Sequence, residues 1–436
     1  MKVLKFGGNA IATASQMQAL VNLLNNKEKK MVVFSAIAGT SNTLNEISDY
    51  LYKKNPDGAN EMINLLEQQY QHLITELFAT ENSRKAAAES IAVHFNTIRE
   101  FTKDLFTLFE EKVVLAQGEL ISSELMCFLL SEQGLKVALL PAPEFMRTDK
   151  NSEPDPVYLK EKLDKLLLAH PDADIYITQG CICRNAYGEI DNLERGGSDL
   201  SASLIGAAIH AEEIQVWTDV DGMQNNDPRY VAHTSPVRNL QFEEAAELAY
   251  FGAKILHPTC ILPAKLNNIP VRLLNILQPD APGTLISNRL EKRQIKAVAA
   301  KDYIIAIKIK SGRMLLAHGF LRKVFEIFEF YQTAIDMVVT SEVGVSVTID
   351  EDRYLPDILN DLKKYGTVTV EKNMTIVCVV GDLDWDNVGF ESKAIHALKD
   401  IPVRMISYGG SNYNISFLIK SEDKQRALQA LSDNLF

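Results

Sequence analysis

A series of short, continuous apolar runs constrains this chain most: Val3–Phe6, Met31–Phe34, Lys136–Leu140, Ile175–Thr178, Ile214–Trp217 and Val271–Leu274. Strands covered on both faces lose the polar alternation of a half-exposed sheet, so each run reads as a buried strand of a parallel sheet. Helical stretches lie between most of them. The pattern predicts a layered α/β/α domain with a mainly parallel sheet.

One stretch, about residues 60–110, breaks the alternation. Ile63, Leu66, Tyr70, Leu73 and Leu77 recur at helical spacing, and Ile91, Phe95, Ile98, Leu105 and Phe109 do the same further on. Both stripes are expected to be core positions of an inserted helical hairpin.

Near Gln278–Lys292 the grammar changes, at a cluster of Pro279, Pro282 and Gly283 followed by the charged run 289–293. Beyond it the predicted order is strand Ile304–Ile309, helix Leu321–Tyr331, strands Ile335–Val339 and Val345–Ile349, helix Leu355–Tyr365 and strand Val368–Val370, a complete βαββαβ unit. A second unit follows: strand Thr375–Val380, helix Lys393–Lys399, strands Val403–Ile406 and Ile415–Ile419, and helix Lys424–Leu435. It lacks a last strand, which Ile295–Ala299 is expected to supply. The expected division is therefore a catalytic domain at 1–288, one small α+β ferredoxin-like domain at 302–372, and a discontinuous second one at 294–301 plus 373–436.

A net charge of −12 over 436 residues opposes general nucleic-acid binding, which needs surplus Lys and Arg. It leaves room for a small anionic substrate in a locally basic loop. The five cysteines include no Cys-x-x-Cys pair; they read as reduced thiols and suggest the cytoplasm. No run reads as a signal peptide or a membrane span, so no membrane partner is expected.

Two glycine doublets beside cations carry the chemistry: Lys5-Phe6-Gly7-Gly8 after the first strand, and Arg195-Gly196-Gly197-Ser198-Asp199 before a small-residue helix. Glycine lets main-chain N–H groups approach a ligand that a Cβ would repel, and the cation supplies charge for phosphate or carboxylate. Lys5 suits phosphate charge, Arg195 a bidentate carboxylate, and Asp199 an amine or Mg2+. Ser35–Asn42 follows the second strand, where hydroxyls can line a pocket or cap a helix. Glu119, ahead of the helical run Leu120–Leu130, can pair with an ammonium group or favour a helix N-terminus. Thr218-Asp219-Val220-Asp221-Gly222, Asp227-Pro228-Arg229 and Lys254 offer hydroxyls, carboxylates and cations for a nucleotide; a plain turn at Asp221-Gly222 is equally open.

Taken together, these motifs resemble those of the aspartate kinases of the amino-acid kinase superfamily. Lys5–Gly8, Gly118-Glu119-Leu120 with Ser122-Ser123, Thr178-Gln179-Gly180, Arg195–Asp199, Trp217–Gly222, Asp227–Arg229 and Phe251–Pro258 occur in the family's order. Gly319-Phe320-Leu321 and Thr340-Ser341-Glu342-Val343 resemble the tandem ACT domains of the single-function, lysine-sensitive branch. The resemblance implies transfer of the ATP γ-phosphoryl group, with Mg2+, to the side-chain carboxylate of L-aspartate, the first step of lysine, threonine and methionine biosynthesis. It implies catalytic roles for Lys5, Gly7, Gly8 and Asp199, and aspartate contacts from Ser41, Glu119, Arg195 and Ser198. Lys5, Gly8, Thr218, Asp219, Arg229 and Lys254 would hold the nucleotide. Met314, Asp336, Ser341 and Glu342 would hold an amino-acid effector, lysine or threonine, in a homodimer or dimer of dimers built through the ACT domains.

The chain departs from the family at Asn9-Ala10, where Thr-Ser is usual, at Glu194 beside the anion loop, at Gln224 in place of a tyrosine, and at Leu316, Ala317 and Ala334 in the effector region. Two alternatives stay open at this level: a kinase for a related acidic amino acid, and a weakly catalytic or non-catalytic amino-acid-binding regulator.

Overall fold

The computed structural model describes residues 1–26, 28–103, 105–193, 196–252, 256–311 and 318–436. These form two compact units, Met1–Met223 with Ile255–Asn288, and Gln224–Lys254 with Arg289–Phe436. The boundary near residue 288 falls in the Pro- and Gly-rich stretch, but Gln224–Lys254, grouped with the catalytic part in the sequence reading, clusters with the C-terminal unit.

In the first unit, β1 (Lys2–Phe6), β2 (Lys30–Phe34), β3 (Val137–Leu139), β4 (Ile175–Gln179), β5 (Ile214–Thr218), β6 (Val271–Asn275) and β7 (Thr284–Ser287) lie in the order β7-β6-β5-β1-β2-β4-β3. Every pair is parallel except β6–β7. β2 and β4 are buried along their whole length, as continuous apolar runs demand. Phe6 is in register with Phe34 on one side and Trp217 on the other, and the three rings stack at centroid distances of 5.6 and 6.0 Å. This aromatic row forms a rigid floor where β1, β2 and β5 end.

The inserted segment is two helices, Pro56–Leu77 and Glu81–Glu100, whose first turns are capped by Asn55 and Thr80. Ile63, Leu66, Tyr70, Ile91, Phe95 and Ile98 are buried in the unit's core. Leu105 and Phe109, expected in the second stripe, are instead 75% and 55% exposed. The helix stops at Glu100, so Leu105 falls in the connection and Phe109 in the exposed first turn of the next helix, Leu108–Glu132. By length and apolarity Leu108–Glu132 could cross a membrane, a property the sequence reading did not expect of any segment. Here Val114, Ile121, Leu125, Met126, Leu129 and Leu130 are all buried in the core of the unit, as for the central helix of a packed domain.

The second unit holds a six-stranded antiparallel sheet. Its strands are β8 (Ile295–Lys310), β9 (Val338–Ser341), β10 (Gly344–Ile349), β11 (Thr367–Gly381), β12 (Val403–Tyr408) and β13 (Asn414–Lys420), in the order β9-β10-β8-β11-β13-β12. The pieces Ile295–Ala299 and Ile304–Ile309, expected as separate strands, are one strand; so are Val368–Val370 and Thr375–Val380. Ile295 to Lys301 pairs with Gly381 to Ile376, and Ile305 to Lys310 pairs with β10. Between the two stretches the ladder shifts register, with Tyr303 and Asn373 both at positive φ, 62° and 58°. Each half covers its own core. Helices Phe320–Phe330 and Leu355–Leu362 pack on Ile305, Ile307 and Val347. The C-terminal helix Lys424–Leu435 supplies Ala427, Leu428 and Leu431 to a second core with Val377, Val379 and Phe417.

Candidate active site

The C-terminal ends of parallel strands leave helix N-terminal N–H groups free for a ligand. At the end of β1, Lys5 points into such a place. Its Nζ lies 2.6 Å from Asp199 Oδ1, and both side chains are mostly buried, at 13% and 15% exposure. The two glycine doublets thus meet through one ion pair.

The glycines explain how closely the backbone packs here. A Cβ on Gly8 would lie 2.5 Å from Ala36 O, so only glycine lets the loop after β1 reach the loop after β2. Gly196 and Gly197 sit at φ 81° and 47°, turning the chain into helix Gly197–Ala208, which places Ser198 and Asp199 in its first turn. A Cβ on Gly180, just after β4, would meet Ser198 Oγ at 2.4 Å, so Ser198 is seated directly against that strand end.

Ser35 ties three motifs together. Its Oγ donates to Ser198 Oγ at 2.9 Å, its N–H to Phe6 O at 3.2 Å, and its carbonyl accepts from Ser122 Oγ at 2.8 Å. The sequence reading placed it in the stretch Ser35–Asn42, after the second strand, as a pocket lining or a helix cap, but gave a substrate contact only to Ser41. Gln179 reinforces the arrangement by donating to Ser123 Oγ at 2.6 Å.

Glu119 does not open a helix, as the sequence suggested. It lies mid-way along Leu108–Glu132, one turn before Ser122 and Ser123. Gly118 beside it lets this helix approach the loop after β2, since a Cβ there would touch Ala36 Cβ at 2.9 Å. Burial pushes the Glu119 carboxyl up to about 7, while its own N–H and that of Ala36 pull it back. A half-buried carboxylate held above its ordinary value is suited to receive a cation.

The remaining predicted residues are spread over both units. Ser41 is exposed in the first turn of helix Thr40–Tyr52, behind Gly39 at φ 89°. Thr218 ends β5 and turns the chain by a hydrogen bond from Val220 N–H, leaving Asp219 exposed. Arg229 belongs to the second unit and grips Asp227 through Nε and Nη2 at 2.9 and 2.6 Å. The Asp336 side chain is buried there, at 1% exposure, beside Lys301 Nζ at 2.6 Å and Tyr250 OH at 3.0 Å. Ser341 and Glu342 are exposed at the end of the edge strand β9. Arg195, Lys254 and Met314, with the departures Glu194, Leu316 and Ala317, lie outside the described residues.

Residues 1–275 match the model of the amino acid kinase family, and residues 377–435 that of an ACT domain. The lysine-sensitive aspartokinase 3 of Escherichia coli is 31% identical over all of this chain and 99% of its own length. The crystal structure of E. coli aspartokinase III with aspartate and ADP superposes with a TM-score of 0.86, at 31% identity and full coverage of both chains. The same enzyme with lysine and aspartate gives 0.81 at 32% identity, covering 100% of this chain and 99% of the other. A strand-end site joining two glycine doublets, an ACT-type C-terminal region and this full-length similarity converge on one conclusion: the chain belongs to the aspartokinases, ATP-dependent kinases that phosphorylate aspartate.

Proposed function

We propose that the γ-phosphoryl group of ATP passes to the side-chain carboxylate of L-aspartate in the cleft where Lys5 meets Asp199, giving 4-phospho-L-aspartate. The observation that carries this reading is the 2.6 Å pair itself, which brings Lys5 and the glycine main chain of both doublets to one set of strand ends. The acceptor is ionised at neutral pH and needs no general base. The protein's task is alignment and relief of anion–anion repulsion. Lys5 with the N–H groups of Gly7 and Gly8 receives phosphate oxygens. Glu119 pairs with the substrate ammonium, Arg195 with its α-carboxylate, and Ser41 and Ser198 with its oxygens. Asp199 holds the Lys5 ammonium in place until the phosphates arrive. Thr218, Asp219, Arg229 and Lys254 take the nucleotide.

The described residues contain no group of three or more His, Cys, Asp and Glu side chains fit to cage a metal. Mg2+ enters this reading as part of the nucleotide substrate, carried on its phosphates.

The C-terminal region is proposed to be two ACT domains, 302–372 and 294–301 plus 373–436, beside a catalytic domain of 1–288; the two separate cores flanking the Tyr303 and Asn373 irregularities support this division. E. coli aspartokinase III crystallises with lysine, and lysine is the proposed effector here, acting on a homodimer or dimer of dimers through Met314, Asp336, Ser341 and Glu342. Five unpaired thiols suit the cytoplasm.

A coupled assay of ADP release tests the activity: aspartate-dependent turnover is expected, and its absence in folded protein with Mg-ATP overturns the reading. Arg195→Ala should raise the KM for aspartate by about 10–100-fold, the cost of one charge-assisted bidentate contact, while leaving that for ATP nearly unchanged. Equal effects on both would refute its role.

A further inference from the structure

The turn that carries Arg229 is built into the core of the C-terminal module. Val231 is 2% exposed and packs with Val298, Val377 and Phe417. Asn225 accepts a hydrogen bond from Val298 N–H at 2.8 Å through its carbonyl. Asn226, itself only 3% exposed, donates from Nδ2 to Leu428 O at 3.0 Å, in the middle of the last helix. Within the turn, the Tyr230 and Val231 N–H groups donate to Asp227 O, and Asp227 holds the Arg229 guanidinium in two-point fashion.

One further side chain bears on the ring beside that guanidinium. Lys424, the first residue of the last helix, is 6% exposed, which is rare for a lysine. Its Nζ sits 4.1 Å above the Tyr230 ring and 2.6 Å from Asp302 Oδ2, and Asp302 in turn accepts from Thr375 Oγ1 at 2.9 Å. The Arg229 guanidinium lies 5.9 Å from the same Tyr230 ring. Tyr230 is thus held by one cation and adjoins the other. A buried ammonium persists only when paired, and a ring faced by a desolvated cation is worth more than the same contact in water.

We propose that Lys424, through Tyr230, is a positioning residue for Arg229, so that the C-terminal module sets the protein's affinity for its nucleotide. This rests on the reading of Arg229 as a nucleotide contact. The last helix contributes no group to the aspartate side in this proposal; its effect reaches chemistry through the orientation of one guanidinium. Lys424 and Asp302 accordingly serve ATP binding as well as the stability of the module.

The test is steady-state kinetics on the full-length chain. Lys424→Met, which keeps the stem and removes the charge, should raise the KM for ATP about 3–10-fold and leave the KM for aspartate unchanged, and Lys424→Arg should restore most of the loss. Arg229→Ala is measured alongside. If it leaves the KM for ATP unchanged, the nucleotide reading of Arg229 fails and the proposal with it. If it raises that KM but Lys424→Met does not, the proposal alone fails. The double variant separates positioning from general loosening: Lys424 acting through Arg229 makes the double variant no worse for ATP than Arg229→Ala, whereas additive losses overturn the proposal. Tyr230→Leu, which removes the ring without touching either charge, should reproduce the ATP-selective effect if Lys424→Met folds poorly; a Tyr230→Leu protein with wild-type KM for ATP refutes it.

Discussion

Each unit contains a lysine–aspartate pair at 2.6 Å, and the two pairs sit in different surroundings. In the first, Lys5 and Asp199 are both slightly exposed, at 13% and 15%, and sit among glycines that keep Cβ atoms away. In the second, the Asp336 side chain is sealed at 1% exposure, takes a hydrogen bond from Tyr250, and shares Lys301 with Asp350 at 2.8 Å. Burial pushes the Asp336 carboxyl above its ordinary value, and the Lys301 ammonium draws it back. The same two residue types therefore pair in two settings: among glycines that leave room beside the carboxylate, and against a tyrosine and a second carboxylate that fix the aspartate in place.

Removing the lysine from each pair would break or sharpen that contrast. The largest effect is expected for Lys5→Met, which should lower kcat by about 10²–10³-fold, as for the loss of one preorganised group facing developing charge, with little change in melting temperature. Full turnover in this variant would erase the distinction. Lys301→Met should do the reverse. It leaves a buried carboxylate uncompensated and should cost about 3 kcal/mol of stability in denaturant titrations, with kcat little changed in effector-free assays. Adding Asp336→Asn should recover part of that loss, because the orphaned charge is gone.

A smaller effect separates the pairs by pH. Glu119, at the first site, titrates at about 7 against an ordinary 4.5. Below about 7 it takes up a proton and loses its hold on an ammonium, so kcat/KM for aspartate should fall by up to about tenfold per pH unit. Glu119→Gln should flatten this limb. The stability contribution has the opposite sign: a folded-state value above the unfolded one means that the ligand-free protein loses stability as pH rises from about 4.5 to about 7. A kcat/KM profile flat down to pH 5.5 in the wild type would remove Glu119 from the site.

The buried strands and the glycine doublets were readable because their causes are local. A continuous apolar run has few folds open to it, and Gly8 or Gly196 declares a close approach whatever surrounds it. Glu119 was misplaced by a helical turn or more because Gln117-Gly118 looks like a helix start, whereas packing against the loop after β2 carries the helix straight through. The depth of Asp336 was hidden because its partners Lys301 and Tyr250 are distant in sequence. The fusion of strands across Tyr303 and Asn373 was hidden because both positions read as breaks. Each is at positive φ, and pairing resumes beyond them with a shifted register.

Those two long strands have a lasting consequence. β8 and β11 each run from one core of the second unit into the other, so no seam exists along which the halves could be parted. A gene rearrangement that kept either half alone would expose a raw sheet rim. The pair is heritable only as a single block, and it should melt and exchange its amides as one.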